Sequence, residues 1–393
     1  MKYNFDELVD RTNTNCIKYD ARRVFFGKED LLPLWVADMD FRTPDFIVEA
    51  IKKRAEHELF GYTFRAESYN QAIISWLKRR HNWEVKPEWI SFSPGVVAGL
   101  TLAIESFSNP GDGVILQPPV YFPFFDSVKG TGRQMIENPL RLQNGRYFFD
   151  LEDLKQKITS KTRMLLLSNP HNPGGMAWNK EELSELAQIC LENKILIISD
   201  EIHSDLIFPG FKHTPLAAIS DQFAQNCVIC MAPSKTFNTA GLTTSFLVIP
   251  NKRHLAAYER VMRLPHLHMG NIFGTVALEA AYTHGDEWLG QLMDYLQENY
   301  RFLEDFLARH LPEVKVMKPE ATYLIWIDFS ALGLSDEDLN KKLIDGGVGL
   351  NRGVQFGKQG SGFMRINIGC PRAVLQEALE QIKIALSVAQ GRI

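Results

Sequence analysis

The sequence predicts an α/β fold, with a large domain built on a mostly parallel sheet flanked by helices and a smaller α+β C-terminal domain. Short, continuous apolar runs alternate with amphipathic segments up to about residue 287, which is typical of parallel strands covered on both faces. Beyond that point, long helices separate strand-like segments. The 393 residues exceed a typical single domain, so we expect residues 49–286 to form the large domain, and residues 1–48 (an N-terminal arm) with 287–393 the smaller one.

The elements of the large domain follow from the spacing of apolar residues. Ile73, Trp76 and Leu77 recur at helical spacing, whereas MLLLS and ILIIS are continuous and typical of buried strands. In chain order we predict an amphipathic stretch at 45–59, a helix at 67–80, a helix after Pro94-Gly95 and a strand in GDGVILQPPVY. Strands at 164–168, 195–199, 227–232 and 245–249 follow, with a helix at 179–193 between the strands at 164–168 and 195–199.

The smaller domain is predicted from a different order of elements. Its predicted elements are a long helix at 288–309, strand-like ATYLIWIDF, a helix at 335–345, strand-like FMRINIG and a terminal helix at 372–388. The N-terminal arm is expected to pack against this unit.

Composition excludes several classes of protein. Hydrophobic residues make up 45% and charged residues 23%, which indicates a globular chain rather than a disordered one. The net charge of -4 and the lack of a long basic run argue against a nucleic-acid partner. No signal peptide and no run of about 18 apolar residues is visible, so we expect a cytoplasmic protein without a membrane partner.

The cysteines and paired histidines predict no metal site. The five cysteines are scattered, and the C-x-x-C pair Cys227 and Cys230 lies within an apolar run with no second pair at suitable spacing. We interpret both as buried apolar thiols, and His266 and His268 as loop residues.

Three polar residues follow three predicted strands. Asn172 comes after MLLLS, Asp200 after ILIIS and Lys235 after CVICMA. Ligands of parallel sheets bind at the carboxyl ends of strands, so these side chains would face one crevice if the strands are neighbours. Each also has a structural explanation, because Asn172 could build a turn, Asp200 could cap a helix and Lys235 could point into water.

The chemistry of these side chains points to pyridoxal phosphate. A lysine amine forms a Schiff base with an aldehyde cofactor, and a carboxylate keeps a ring nitrogen protonated so that the ring can take up electrons. The turn at Gly95-Val96-Val97, at a helix start, offers backbone amides for a phosphate.

Four motifs carry a family resemblance. SNPHNPGG, SDEIHSDL, APSKTFN and RINIGCPR occur in this order and resemble the class I/II aminotransferase family of fold-type I pyridoxal-phosphate enzymes. LPLWVADMDF at 32–41 is similar to one branch, the MalY/PatB-type cystathionine β-lyases and cysteine desulfhydrases. The resemblance runs from the N-terminal arm to Arg372.

The resemblance implies roles around the cofactor ring. Lys235 would form the Schiff base and carry the proton of the substrate α-carbon. Asp200 would pair with the ring nitrogen, Asn172 would donate to the ring oxygen, and Tyr121 would stack on the ring. His203 stands where many aminotransferases carry a tyrosine near that oxygen.

The resemblance also implies the phosphate and substrate contacts. The amides of Val96 and Val97 would hold the phosphate, and Tyr62 would reach the phosphate of a neighbouring subunit, which makes the active unit a homodimer. Arg365 would bind the substrate α-carboxylate, and Asn172 would also contact the substrate. Two residues of LPLWVADMDF would line the substrate entrance: Trp35 and Val36.

Two positions depart from the aminotransferase pattern. Many members have serine at the position of Ala232 and a phosphate-binding arginine at that of Thr243. We expect Ser234 and Tyr62 to compensate for the missing arginine. The same threonine occurs in the lyase branch.

These features predict a β-lyase that cleaves cystathionine, S-substituted L-cysteine or cysteine to a thiol, pyruvate and ammonia. An aminotransferase is the alternative enzyme, since the cofactor motifs are shared and only Thr243 and WVADMDF favour the lyase. A regulatory, protein-binding role on the same fold is an alternative of another class.

Overall fold

Strands and helices alternate along residues 2–387, which the computed structural model describes. The strands are β1 Leu32–Pro33, β2 Ile90–Ser93, β3 Gly113–Leu116, β4 Gln134–Glu137, β5 Arg141–Gln143, β6 Arg146–Phe148, β7 Thr162–Ser168, β8 Leu196–Asp200, β9 Cys227–Met231, β10 Ser245–Val248, β11 Lys315–Val316, β12 Leu324–Asp328, β13 Val348–Gly349, β14 Asn351–Arg352 and β15 Phe363–Asn367. The α-helices are α1 Ile17–Asp20, α2 Arg22–Phe26, α3 Asp45–Ala55, α4 Glu67–His81, α5 Val96–Phe107, α6 Pro123–Gly130, α7 Leu151–Lys157, α8 Lys180–Glu192, α9 Asp221–Gln225, α10 Lys252–Arg263, α11 Ile272–His284, α12 Asp286–His310, α13 Asp336–Asp345 and α14 Arg372–Ser387. Residue 388, the end of the predicted terminal helix, lies outside the described residues.

The central sheet has the strand order β2-β10-β9-β8-β7-β3-β4. The neighbours from β9 to β4 pair in parallel, which confirms the predicted mostly parallel sheet. The expectation of a parallel strand at 245–249 is wrong, because β10 pairs antiparallel with both β9 and β2. A parallel β10 would need a crossover, usually a helix, that carries the chain back to the end of the sheet where β9 begins. Residues 232–244 contain no α-helix, so β10 begins at the end of the sheet where β9 finishes and runs in the opposite direction.

Both faces of the central sheet are buried. Leu165 and Ile197 belong to one apolar cluster with residues of α4, α8 and α11. Their neighbours Leu166 and Ile198 belong to the other cluster, with residues of α5 and α10. The strands are therefore continuous apolar runs, because side chains on alternate faces all enter a core.

The C-terminal part builds a second, antiparallel sheet in the order β11-β12-β15-β14. The N-terminal segment joins this part, since Leu32 in β1 pairs with Val348 in β13. The domain boundaries 49–286, and 1–48 with 287–393, stay a prediction. Along residues 2–387, no helix combines the length and apolarity needed to cross a bilayer.

Candidate active site

A cavity of about 250 Å³ lies beyond the carboxyl ends of β7, β8 and β9. Because these strands are sheet neighbours, the residues that follow them meet at one edge. The structure therefore brings together eight of the residues singled out from the sequence, which all line the cavity: Val96, Val97, Tyr121, Asn172, Asp200, His203, Ser234 and Lys235.

Lys235 reaches the cavity from the loop that follows β9. Its Nζ donates to the carbonyl oxygen of Ala37 at 2.5 Å. Burial lowers the pKa of Lys235 to about 8, although the carboxylate of Asp38 acts in the opposite direction. A larger share of this amine is therefore neutral, and able to accept a proton, near physiological pH than for an ordinary lysine.

Asp200 is the last residue of β8, and its side chain is 6% exposed. Its Oδ1 accepts from the backbone N–H of Ile202 at 3.1 Å. Burial raises the pKa of Asp200 to about 7, against the opposing effects of that hydrogen bond and of Lys235. A cationic partner in the cavity would favour the carboxylate form.

Arg365 in β15 is 2% exposed. Its Nη1 donates to Asn172 Oδ1 at 2.8 Å, and its Nη2 donates to Asn351 Oδ1 at 2.7 Å and to the Trp35 carbonyl oxygen at 3.2 Å. All three acceptors are neutral, so within residues 2–387 this buried cation has no carboxylate partner. Burial lowers the pKa of Arg365 to about 10, which leaves it charged at neutral pH.

The Arg365 contact also orients Asn172. Because the amide oxygen of Asn172 accepts from Arg365, its Nδ2 is left as a donor. Asn172 lines the cavity together with Asp200 and Lys235, so the amide can donate to a ligand oxygen there.

One end of the cavity is built to hold an anion. The backbone N–H groups of Val96 and Val97 belong to the first turn of α5, where no intrahelical acceptor exists. Ser234, Thr243 and Thr244 also line the cavity. Thr243 lies in the left-handed region at φ 45°, which is rare for a β-branched residue and is found at functional sites.

His203 is the buried histidine of the cavity. Burial lowers the pKa of His203 well below its ordinary value, so the ring is neutral. Its Nδ1 has no hydrogen-bond partner among the described residues. The Tyr323 ring packs against it with 6.0 Å between the ring centroids. The imidazole thus keeps one free polar atom for a ligand.

Four predicted residues do not line this cavity: Arg365, which adjoins it through Asn172, and Trp35, Val36 and Tyr62. Trp35 and Val36 contribute backbone carbonyl oxygens, which accept from Arg365 and from Asn367 Nδ2. Tyr62 is 98% exposed and lines a separate cavity of about 430 Å³ beside residues 269–272. Its predicted contact with a neighbouring subunit remains a prediction.

Sequence reasoning missed several residues that support the site. Ala37 accepts from Lys235 and also from the Tyr323 hydroxyl, at 3.0 Å. Asn238 binds the backbone of residues 39 and 41. Ala37 acts through its backbone carbonyl, so its residue type does not indicate the contact. Asn238 is the last residue of the APSKTFN motif, so its polar side chain is a signal that the sequence does contain.

This donor set fits the predicted pyridoxal phosphate. Lys235 can bond an aldehyde, Asp200 has spare acceptor capacity for a ring nitrogen, and the start of α5 offers N–H groups for a phosphate. The unpartnered His203 Nδ1 and the donor of Asn172 add polar groups for ring substituents. No other class of ligand is needed to explain these groups.

Comparison with known proteins gives the family. The model of the family described as aminotransferase class I and II matches residues 29–382. Cystathionine beta-lyase PatB of Bacillus subtilis is 47% identical over 98% of this chain and 100% of its own length. A pyridoxal-phosphate-bound protein of Clostridium difficile 630, provisionally named an aminotransferase, is 46% identical with a TM-score of 0.96, covering 98% of this chain and 100% of its own. A pyridoxal-phosphate-bound C-S lyase of Staphylococcus hominis is 35% identical with a TM-score of 0.93, covering 98% of each chain. The chain therefore belongs to the aminotransferase class I and II family, as its motifs predict.

Proposed function

We propose that this chain is a pyridoxal-phosphate-dependent β-lyase that cleaves the carbon–sulfur bond of cystathionine, other S-substituted L-cysteines or cysteine. The observation that carries the proposal is that Lys235, Asp200 and Asn172 line one cavity, with Arg365 bound to Asn172. The full-length similarity to proteins named cystathionine β-lyase and C-S lyase assigns the reaction class.

Lys235 and Asp200 carry the proton chemistry. Pyridoxal phosphate, when bound, supplies an electron sink for the bond broken at the substrate α-carbon. Asp200 holds a proton at the ring nitrogen as its ionic partner. Lys235 Nζ takes the α-proton, and its pKa of about 8 suits a base that works near neutral pH.

Arg365 positions the substrate. A planar guanidinium binds a carboxylate through two parallel hydrogen bonds, and here it is buried among neutral acceptors. The substrate α-carboxylate would supply the missing negative charge. With that group fixed beside Asn172, the α-carbon is held close to Lys235.

The reaction balances as an elimination followed by hydrolysis. Loss of the α-proton to Lys235 is accompanied by cleavage of the bond between the β-carbon and sulfur, and the sulfur leaves as a thiolate. The remaining unsaturated amine takes up water and yields pyruvate and ammonia. No amino acceptor is consumed, which separates this reaction from transamination.

The test is turnover of L-cystathionine by the cofactor-loaded protein without any keto acid. We expect pyruvate and free thiol to form in equal amounts over many turnovers. A strict need for an amino acceptor would assign the chain to the aminotransferases instead. L-Alanine with 2-oxoglutarate serves as the transamination control, because amino transfer between them gives the distinct products pyruvate and L-glutamate.

The dimer is the second part of the proposal. Tyr62 lies in a chain segment rich in exposed apolar side chains: Leu59, Phe60 and Phe64. A second copy of the chain would cover this region and accept Tyr62 at its phosphate end. Sedimentation should give a dimer, and Tyr62→Phe should weaken cofactor retention without changing the sedimentation coefficient. The cytoplasmic location stays a prediction.

A further inference from the structure

Residues 35–39 form an irregular segment whose carbonyl oxygens are all bound by side chains. It belongs to no strand, so backbone pairing cannot hold it. The carbonyl oxygen of Trp35 accepts from Arg365, and that of Val36 accepts from Asn367. The carbonyl oxygen of Ala37 accepts from Lys235 and Tyr323. That of Asp38 accepts from Asn367 and Lys18, and that of Met39 accepts from Asn238 and Arg11. This run of side-chain contacts takes the place of a sheet ladder.

The segment links the two cations of the active site. Arg365 Nη2 donates to the Trp35 carbonyl at 3.2 Å, and Lys235 Nζ donates to the Ala37 carbonyl at 2.5 Å. The two carbonyls are only two residues apart. A shift of the segment would therefore move the acceptors of both cations together.

Four charged side chains hold the other side of the segment. Lys18 Nζ, fully buried, pairs with Asp40 Oδ2 at 2.9 Å. Arg11 pairs with Asp40 Oδ1 at 2.6 Å and with Asp38 Oδ2 at 2.9 Å. Lys18 and Arg11 also donate to the carbonyl oxygens of residues 38 and 39. We call Arg11, Lys18, Asp38 and Asp40 the arm cluster.

Stability alone does not account for the arm cluster. Removing charges from water costs several kcal/mol per ion, so buried ion pairs are often replaceable by apolar residues without loss of stability. What such pairs fix well is geometry. We propose that the arm cluster is a positioning element of the active site, which sets the 35–39 backbone so that its carbonyls meet Lys235 and Arg365.

Charge balance within the cluster acts on the same amine. The carboxylate of Asp38 raises the pKa of Lys235, opposing the effect of burial, and Arg11 pairs with that carboxylate. The other titratable or charged groups around the amine and its acceptor are Asp200, His203, Arg365, Tyr121 and Tyr323. Without Arg11, the Asp38 carboxylate would keep only its longer contact with Lys18 Nζ, at 3.9 Å, so more of its charge would act on Lys235.

The first experiment measures the amine directly. Lys235 acetylation in the apoprotein is followed against pH by mass spectrometry of its peptide, which gives the pKa of Lys235. Arg11→Met should raise this pKa by about one unit, because Asp38 then keeps only the 3.9 Å contact with Lys18 and favours the ammonium form of Lys235. Arg11→Lys should keep the pKa of Lys235 close to its wild-type value, since it retains the positive charge beside Asp38. Arg42→Met is the matched control, because Arg42 belongs to the same arm and pairs with the exposed Glu7.

An Arg11→Met pKa equal to that of Arg42→Met would overturn the charge-balance part of the inference. Labelling is independent of the reaction that the protein catalyses, so its failure leaves the proposed lyase function standing. The positioning part, which rests on that function, needs a second variant.

The second experiment replaces the buried pair by apolar residues in the cofactor-loaded protein. Lys18→Met combined with Asp40→Leu should keep the thermal midpoint within a few degrees and raise KM for L-cystathionine at least about fivefold, because the carbonyl facing Arg365 shifts. Wild-type kcat and KM in this folded variant would show that the cluster is only structural and would contradict the proposal.

Discussion

Asp200 and Asp205 lie five residues apart and are both buried, with 6% and 4% of their surface exposed. The pKa values of their carboxyl groups are nevertheless shifted in opposite directions. Burial raises the pKa of Asp200 to about 7. The pKa of Asp205 is lowered, because hydrogen bonds and the nearby charges outweigh its burial. The difference lies in how many hydrogen-bond donors of the protein contact each carboxyl group.

Asp205 belongs to a saturated core network. It accepts from Trp76 Nε1 at 3.1 Å and Thr236 Oγ1 at 2.9 Å, and contacts His81 Nε2 at 3.1 Å. Asp200 accepts from one backbone N–H, that of Ile202. Unsatisfied buried groups are rare in folded proteins and concentrate at functional sites. The comparison thus separates a carboxylate saturated by the protein from one that keeps acceptor capacity for a further partner.

Lys235 and Thr236 separate the two regions most sharply, because they are neighbours in sequence. Lys235 faces the cavity, whereas Thr236 donates to Asp205. Lys235→Ala should reduce turnover by at least about 10⁴-fold and remove the visible absorbance of the bound cofactor, since both depend on the amine. Stopped assays and absorbance spectra provide the measurement.

Thr236→Val is the matched control. It should lower the free energy of unfolding by about 1–2 kcal/mol through the lost hydrogen bond, while kcat stays within about tenfold of wild type. If Lys235→Ala kept its turnover, Lys235 would not be the catalytic amine, and the contrast with the structural Thr236 would be wrong.

Arg365 extends the comparison to a cation. Arg365→Met should lower kcat/KM for L-cystathionine by roughly 10²–10³-fold, mainly through KM, because the substrate carboxylate loses its partner. Stability of the apoprotein should hold or rise, since a buried charge with only neutral acceptors is removed. Arg352→Met, on the adjacent β14 and paired with exposed Glu337, should change neither quantity appreciably. A large loss of stability in Arg365→Met would identify Arg365 as structural.

Asp205→Asn should act on stability and not on chemistry. It weakens the acceptor of Trp76, His81 and Thr236, so we expect a loss of about 3 kcal/mol in the free energy of unfolding. Urea unfolding measures the loss, and the folded fraction should keep its cofactor absorbance. Inactivation without destabilisation would place Asp205 in the active site.

Sequence could predict the parts of the site that lie in contiguous motifs. Lys235, Asp200 and Asn172 each follow an apolar strand, and the geometry of a parallel sheet brings such residues together. The fold class follows from the alternation of apolar runs and helices, and the family follows from the four motifs. The cofactor and reaction class follow from the four motifs and from LPLWVADMDF.

Three features could not be predicted in this way. The direction of β10 depends on the path of residues 232–244, and its apolar run is the same for either direction. Trp35 and Val36 act through carbonyl oxygens, which every residue has, so their contacts leave no trace in side-chain type. Arg11 and Lys18 are charged residues of the N-terminal arm, and no motif in the sequence indicates that they pair with Asp38 and Asp40.

The comparison of Asp200 with Asp205 is tested most directly by urea unfolding of Asp200→Asn and wild-type apoprotein at pH 5.5 and pH 8. The folded pKa of Asp200, about 7, lies above its ordinary value of 3.8, so the folded state holds the proton more tightly and wild-type stability falls as pH rises toward 7. The asparagine variant lacks this penalty, so its advantage over wild type should grow by about 2 kcal/mol between the two pH values. Pyridoxal phosphate should reverse the order at pH 8, because only Asp200 can pair with the protonated ring. An advantage that is independent of pH, or a wild type that gains no more from the cofactor than the variant does, would contradict the claim that Asp200 is held for a partner from outside the chain.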